Sequence, residues 1–193
     1  MRHSILLPAL FLAAGLSVVP LTAQDARLAA RLPQGTRLAV ERLMDSARAG
    51  GLPTEPLVRK ALEGASKGAD SARIVSAVAT LARYLGEARQ ALGPGADEAT
   101  LVAGAAALRA GAQPARLRAL DSLRRREQLA VPLSVLADLL TSGVEPERAW
   151  TTVREMASQG APDAEFLELR ERLTGTGHGP SPGLPPAAGR PPT

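Results

Sequence analysis

The sequence predicts an all-α protein: an irregular helical bundle or a short solenoid-like array of α-hairpins, about seven to eight short helices with a disordered C-terminal tail. Three observations predict it. Only 2% of the residues are aromatic while 45% are hydrophobic, so the interior must be built from Leu, Val and Ala. Such side chains let helices approach closely, whereas sheets draw on aromatic and β-branched residues. Six glycines, Gly51, Gly68, Gly95, Gly111, Gly143 and Gly160, each introduce a short polar start that leads to an apolar residue. The intervals Gly51 to Gly68, Gly95 to Gly111 and Gly143 to Gly160 are 17, 16 and 17 residues, the span of one helix and its turn.

After Met1, Arg2 and His3, the run from Ile5 to Val19 is apolar apart from Pro8, Gly15 and Ser17, and Leu21, Thr22 and Ala23 follow. A basic start, a short apolar run and a small residue describe a secretory signal peptide over residues 1–23, with cleavage after Ala23. The run is shorter than the roughly 18 apolar residues a spanning helix needs, and Pro8 and Gly15 interrupt it. Export to the periplasm or the cell exterior is the expectation. Residues 24–35 read as a linker and residues 36–173 as one helical domain, long enough to hold a single core.

Each glycine punctuation has a physical reading. A left-handed glycine ends one helix, and a polar residue two or three places on caps the next, often with proline at its first position. On that basis the helices fall near Thr36 to Ala49, Glu55 to Ser66, Ser71 to Leu92, Glu98 to Ala110, Pro114 to Gln128, Pro132 to Ser142, Pro146 to Ser158 and Asp163 to Leu173. In the longest, Ile74, Val78, Leu81, Leu85 and Leu92 share a face, which marks it as the organiser of the core. Two periods sum to about 34 residues, the length of a tetratricopeptide-class helix pair. The resemblance is one of length alone, because that class's aromatic, glycine and proline pattern is absent. The tail from Thr174 to Thr193 is rich in Pro and Gly with almost nothing apolar to bury, the composition of a disordered segment.

Composition bounds the chemistry. The chain contains no cysteine, which removes disulfides, thiolate metal sites and thiol catalysis. The formal charge is +4, too small a surplus to imply nucleic acid as the partner. No cofactor and no metal is expected, since His178 is the one histidine beyond residue 23 and no oxygen-ligand calcium loop is present.

Three constellations remain as candidates. Gly64-Ala65-Ser66-Lys67-Gly68 matches a nucleophile-elbow pattern, but that motif needs a strand to deliver the serine and a base within reach. Here a helix delivers it, so a helix end closed by Gly68 accounts for the same letters. The carboxylates Glu145, Glu147, Glu155, Asp163, Glu165, Glu168 and Glu171 could in principle do acid/base work, yet the interleaved Arg170 and Arg172 describe an ion-paired surface. The third is a basic concentration at Arg116, Arg118, Arg124, Arg125 and Arg126. Residues 101–130 carry a surplus of four positive charges and residues 138–173 a surplus of four negative ones. Arg116, Arg124, Arg125 and Arg126, with Trp150, form the candidate binding surface, because arginine and tryptophan anchor interfaces; the competing roles are ion pairing within the molecule and core packing. The resulting expectation is a non-enzymatic interaction protein of the cell envelope that binds a protein or envelope component in a groove between helices. The rivals are an envelope hydrolase using the carboxylates or Ser66, and a membrane-surface protein held by an uncleaved N-terminal segment or the arginine patch.

Overall fold

Helix-ending glycines impose the architecture. A computed structural model describes residues 23–124 and 129–175, and these contain nine helices and no strand. They are α1 (Ala23–Ala29), α2 (Gln34–Ala49), α3 (Glu55–Ser66), α4 (Ser71–Leu92), α5 (Glu98–Arg109), α6 (Pro114–Leu123), α7 (Ala130–Thr141), α8 (Pro146–Ser158) and α9 (Asp163–Gly175). Residues 1–22, where the signal peptide is expected, the residues beyond Gly175, and Arg125 and Arg126 lie outside the described residues.

Five of the six glycines expected to end helices have positive φ: Gly51, Gly68, Gly111, Gly143 and Gly160. Each closes the same hydrogen-bond pattern. At Gly68, the glycine N–H donates to Ala65 O at 3.1 Å and the next N–H, of Ala69, donates to Gly64 O at 3.0 Å. This crossed pair satisfies carbonyls the helix end would otherwise leave open. Gly95 is the exception, and Gly93 takes its place with φ 78° and ψ 177°. The reason is Pro94, whose ring disfavours helical backbone angles in the residue before it. The chain therefore leaves α4 through an extended left-handed conformation open to glycine alone. Replacing Gly68 or Gly160 with valine is expected to lower stability by about 1 kcal/mol or more; unchanged thermal melting at both sites would contradict the cap assignment.

Helix starts follow the expected chemistry at three turns. The side chains of Asp70 and Asp97 accept the N–H groups of Arg73 and Thr100, each at 2.8 Å, and Glu145 accepts those of Glu147 and Arg148. The sequence between α6 and α7 holds no glycine, and the bounds of these helices depart most from expectation. Helix α6 ends at Leu123 and not at Gln128, and α7 begins two residues before Pro132, which therefore sits in the first turn, where its missing N–H costs nothing.

Residues 24–35, expected to be a linker, hold helical structure. Helix α1 occupies the first half of this stretch, α2 begins at Gln34, and Leu28 and Leu32 are buried. A leucine pair four apart is an amphipathic signal too short to stand out by periodicity alone.

The helices pack in two rows. Even-numbered helices stack in the order α2, α4, α6, α8; in the odd row α1 packs on α3, and α5 on α7 on α9. Ends match across each row. Thr36 Oγ1 at the start of α2 donates to Ser71 Oγ at the start of α4 at 2.6 Å, and Arg116 at the start of α6 reaches Pro146 and Glu147 at the start of α8. Neighbours within these pairs thus run parallel and consecutive helices return antiparallel, which is the arrangement of stacked α-hairpins rather than an irregular bundle.

Two helices organise the core. The 22-residue α4 packs on α2, α3, α5 and α6 and buries Ile74, Val78, Leu85 and Leu92, while Leu81 is half-buried. Helix α7 serves the C-terminal half, burying Leu133, Val135, Leu136 and Leu139 against α5, α8 and α9. Helix α5 joins the halves with small residues: Ala103, Gly104, Ala105 and Ala107 are all buried, and their size brings it close to both α4 and α7.

Candidate functional site

Of the residues expected to form a binding surface, Arg116, Arg124 and Trp150 are drawn into the fold, while Arg125 and Arg126 lie outside the described residues. Arg116 donates to Pro146 O at 3.0 Å, pairs with Glu147, and places its guanidinium 5.6 Å from the centre of the Trp150 ring. Only 16% of its side chain is exposed, so it ties α6 to α8. Trp150 is half-buried against the core with that arginine over its ring. Arg124 is buried, donates to Ala161 O at 2.9 Å and lies over the ring of the fully buried Phe166. A planar guanidinium suits both tasks, stacking on an aromatic face while its edge donates. The acidic half is answered from within as well, with Arg170 lying 3.7 Å from Asp138.

Ser66 occupies the last turn of α3, where its hydroxyl donates to Glu63 O at 2.9 Å. Carbonyls, not N–H groups, point outward at such an end, and the dipole there opposes a developing oxyanion. Beside it, Glu63 is held by Lys67 and, at 2.9 Å, by Lys60. Hydrogen bonds from these two ammonium groups lower its carboxyl from 4.5 to about 2. A depressed carboxyl stabilises the fold above its ordinary value and loses that contribution as pH falls through the folded value. NMR titration should find the Glu63 midpoint near 2, rising in Lys67→Ala; a native midpoint near 4.5 would refute the pairing. Glu145 is also lowered, by the backbone N–H groups of Glu147 and Arg148 that it caps. Among the described residues, no group of three His, Asp or Glu side chains could hold a metal ion, and no helix is long and apolar enough to cross a membrane.

Sequence reasoning missed two features. Arg89 donates to the carbonyls of Gly93, Pro94 and Ala96 and, at 3.1 Å, to Gly51 O, fastening the α4–α5 turn to the α2–α3 turn. Its place near the end of a long helix was the available signal, since arginine there meets open carbonyls. The second is the surface of the odd row. A groove of about 700 Å³ lies between α1 and α3, floored by Ala30, Leu62 and Ala65 and edged by Arg27, Arg31, Arg59, Glu63 and Ser66. A groove of about 540 Å³ follows between α3, α5 and α7, along Ala99, Val102 and Ala106. Arg59 borders both. The second groove exists because α3 and α5 have little direct contact, their ion pair being Arg59 with Glu98 at 3.8 Å.

Comparison with protein-family models, with curated proteins and with solved structures found no match to this chain.

Proposed function

We propose that this protein is exported through its first 23 residues and works as a non-enzymatic interaction module of the cell envelope. Its partner, a protein or other envelope component, docks on the face formed by the odd-numbered helices. The observation that carries this reading is the pair of grooves bordered by Arg59, which run across one face of a stacked helical array. Arrays of this kind offer extended surfaces for recognition, and concave, largely apolar clefts with a few polar groups are the usual seats of ligands. The role of Ser66 in closing a helix, and of Glu145 and Glu147 in capping and ion pairing, supports a structural use for the groups that a hydrolase would need. Arg116 and Arg124 are engaged within the fold, which favours the grooves over the arginine patch as the docking face.

The test is photo-crosslinking in cells, with a photoreactive amino acid at Leu62 or Val102 on the odd face and at Ser46 of α2 on the even row as control. The reading expects one specific adduct from the odd face and none from Ser46. Equal adducts from both rows, or none from the odd face, would reject it. Fractionation checks export, which requires the mature protein outside the cytoplasm.

A further inference from the structure

We infer that the partner segment entering the α1–α3 groove is acidic and amphipathic, seating apolar side chains on Leu62 and Ala65 and bridging Arg31 and Arg59 with its carboxylates. This inference rests on the groove reading above.

The argument begins with which charges are already used. Arg27 is bound edge-on by both carboxylate oxygens of Glu55, at 3.0 and 2.6 Å. Glu63 is neutralised by Lys60 and Lys67. Two guanidinium groups are left at the rim. Arg31 is exposed and has no ion pair among the described residues. Arg59 meets Glu98 at 3.8 Å with both side chains more than half exposed, a separation and exposure at which a surface pair is worth little. Among the residues lining this groove, Arg27, Arg31 and Arg59 outnumber the one acid, Glu63, so the rim has a positive surplus. The apolar part of the lining between Arg31 and Arg59 is made by Ala30, Leu62 and Ala65, with Glu63 and Ser66 beside it.

Apolar floor and cationic rim select one chemistry. An amphipathic segment buries its apolar side chains in the groove, and carboxylates at its edge meet guanidinium groups that hold a planar, two-pronged grip on such anions. A basic segment would be repelled at the same rim, and a polar one would leave the leucine floor wet. Complementarity of this sort sets partner choice and association rate more than bulk affinity.

The experiment uses three short fluorescent peptides of one helical pattern: Glu with Leu, Lys with Leu, and Glu with Gln in place of Leu. Anisotropy titration of the purified protein should rank Glu/Leu at least about tenfold tighter than either other peptide, with affinity falling as salt rises. The double variant Arg31→Glu, Arg59→Glu should keep the native circular dichroism, because both side chains are exposed, and should lose about tenfold or more for Glu/Leu while gaining for Lys/Leu. Equal ranking of the peptides, no binding of Glu/Leu, or unchanged affinity in a folded double variant would overturn the inference. If the Leu62 crosslink forms in cells while these peptides fail, the groove reading stands and the acidic partner falls. If that crosslink is also absent, the groove reading falls with it.

Discussion

Phe166→Ala is expected to destabilise the protein by about 3–5 kcal/mol, the cost of deleting a large buried ring that the surroundings cannot refill. Phe166 is fully buried, and α9, which carries it, packs on α7. The chain can ill spare it, because aromatic residues make up only 2% of the sequence and the neighbouring core is Leu, Val and Ala. The loss should exceed that of removing a single leucine at the surface, such as Leu123, which is 45% exposed. Arg124 sharpens the expectation. Its guanidinium sits 5.4 Å from the ring centre while it donates to Ala161 O, so removing the ring also strips an apolar cover from a buried cation. Chemical denaturation of the two variants side by side checks this: comparable losses for Phe166→Ala and Leu123→Ala would show that α9 is not docked as described.

The second large effect is expected from overfilling. A Cβ added at Gly104 would lie 3.0 Å from Leu92 Cδ1, 3.2 Å from Ala88 Cβ and 3.3 Å from Leu117 Cδ2, so α4, α5 and α6 all close on this one position. Gly104→Val must part them, and a loss of about 3 kcal/mol is expected, at the upper end of the range for overpacked cores. Gly35→Ala is the contrasting case. It lies in α2 with nothing within 4 Å of the added carbon, and should gain about 0.4–1 kcal/mol by restricting the unfolded chain. Melting curves of both variants decide the matter: neutrality at Gly104 would contradict the packing of α5, and loss at Gly35 would contradict the open surroundings of that position in α2.

These positions also show what could be read from the letters. The helix-ending glycines were legible because a left-handed cap is a local demand on one residue, and Gly51, Gly68, Gly111, Gly143 and Gly160 meet it. Gly95 misled because Gly93 lies two residues earlier and Pro94 decides between them. Helix α1 stayed hidden because its evidence is tertiary: Leu28 and Leu32 become informative only once neighbouring helices cover them. The choice between bundle and array was equally non-local, depending on which helix each face meets. At the site, arginine clustering in sequence could not distinguish a surface from a brace. Arg116 and Arg124 brace α6 against α8 and α9, whereas the groove's spare cations, Arg31 and Arg59, are 28 residues apart in sequence and meet only through the stacking of α1 on α3.

Everything functional in this account depends on the helices forming two rows, and a pair of spin labels tests that directly in a chain free of native cysteine. Labels on cysteines at Ser46 of α2 and Thr151 of α8, both exposed, sit on the first and last helices of the even row. Three interhelix steps of about 8–10 Å each predict a single separation of about 20–30 Å by pulsed electron spin resonance. A population centred at about 15 Å or less would mean that α2 and α8 are near neighbours in a bundle, and would contradict the stacked array.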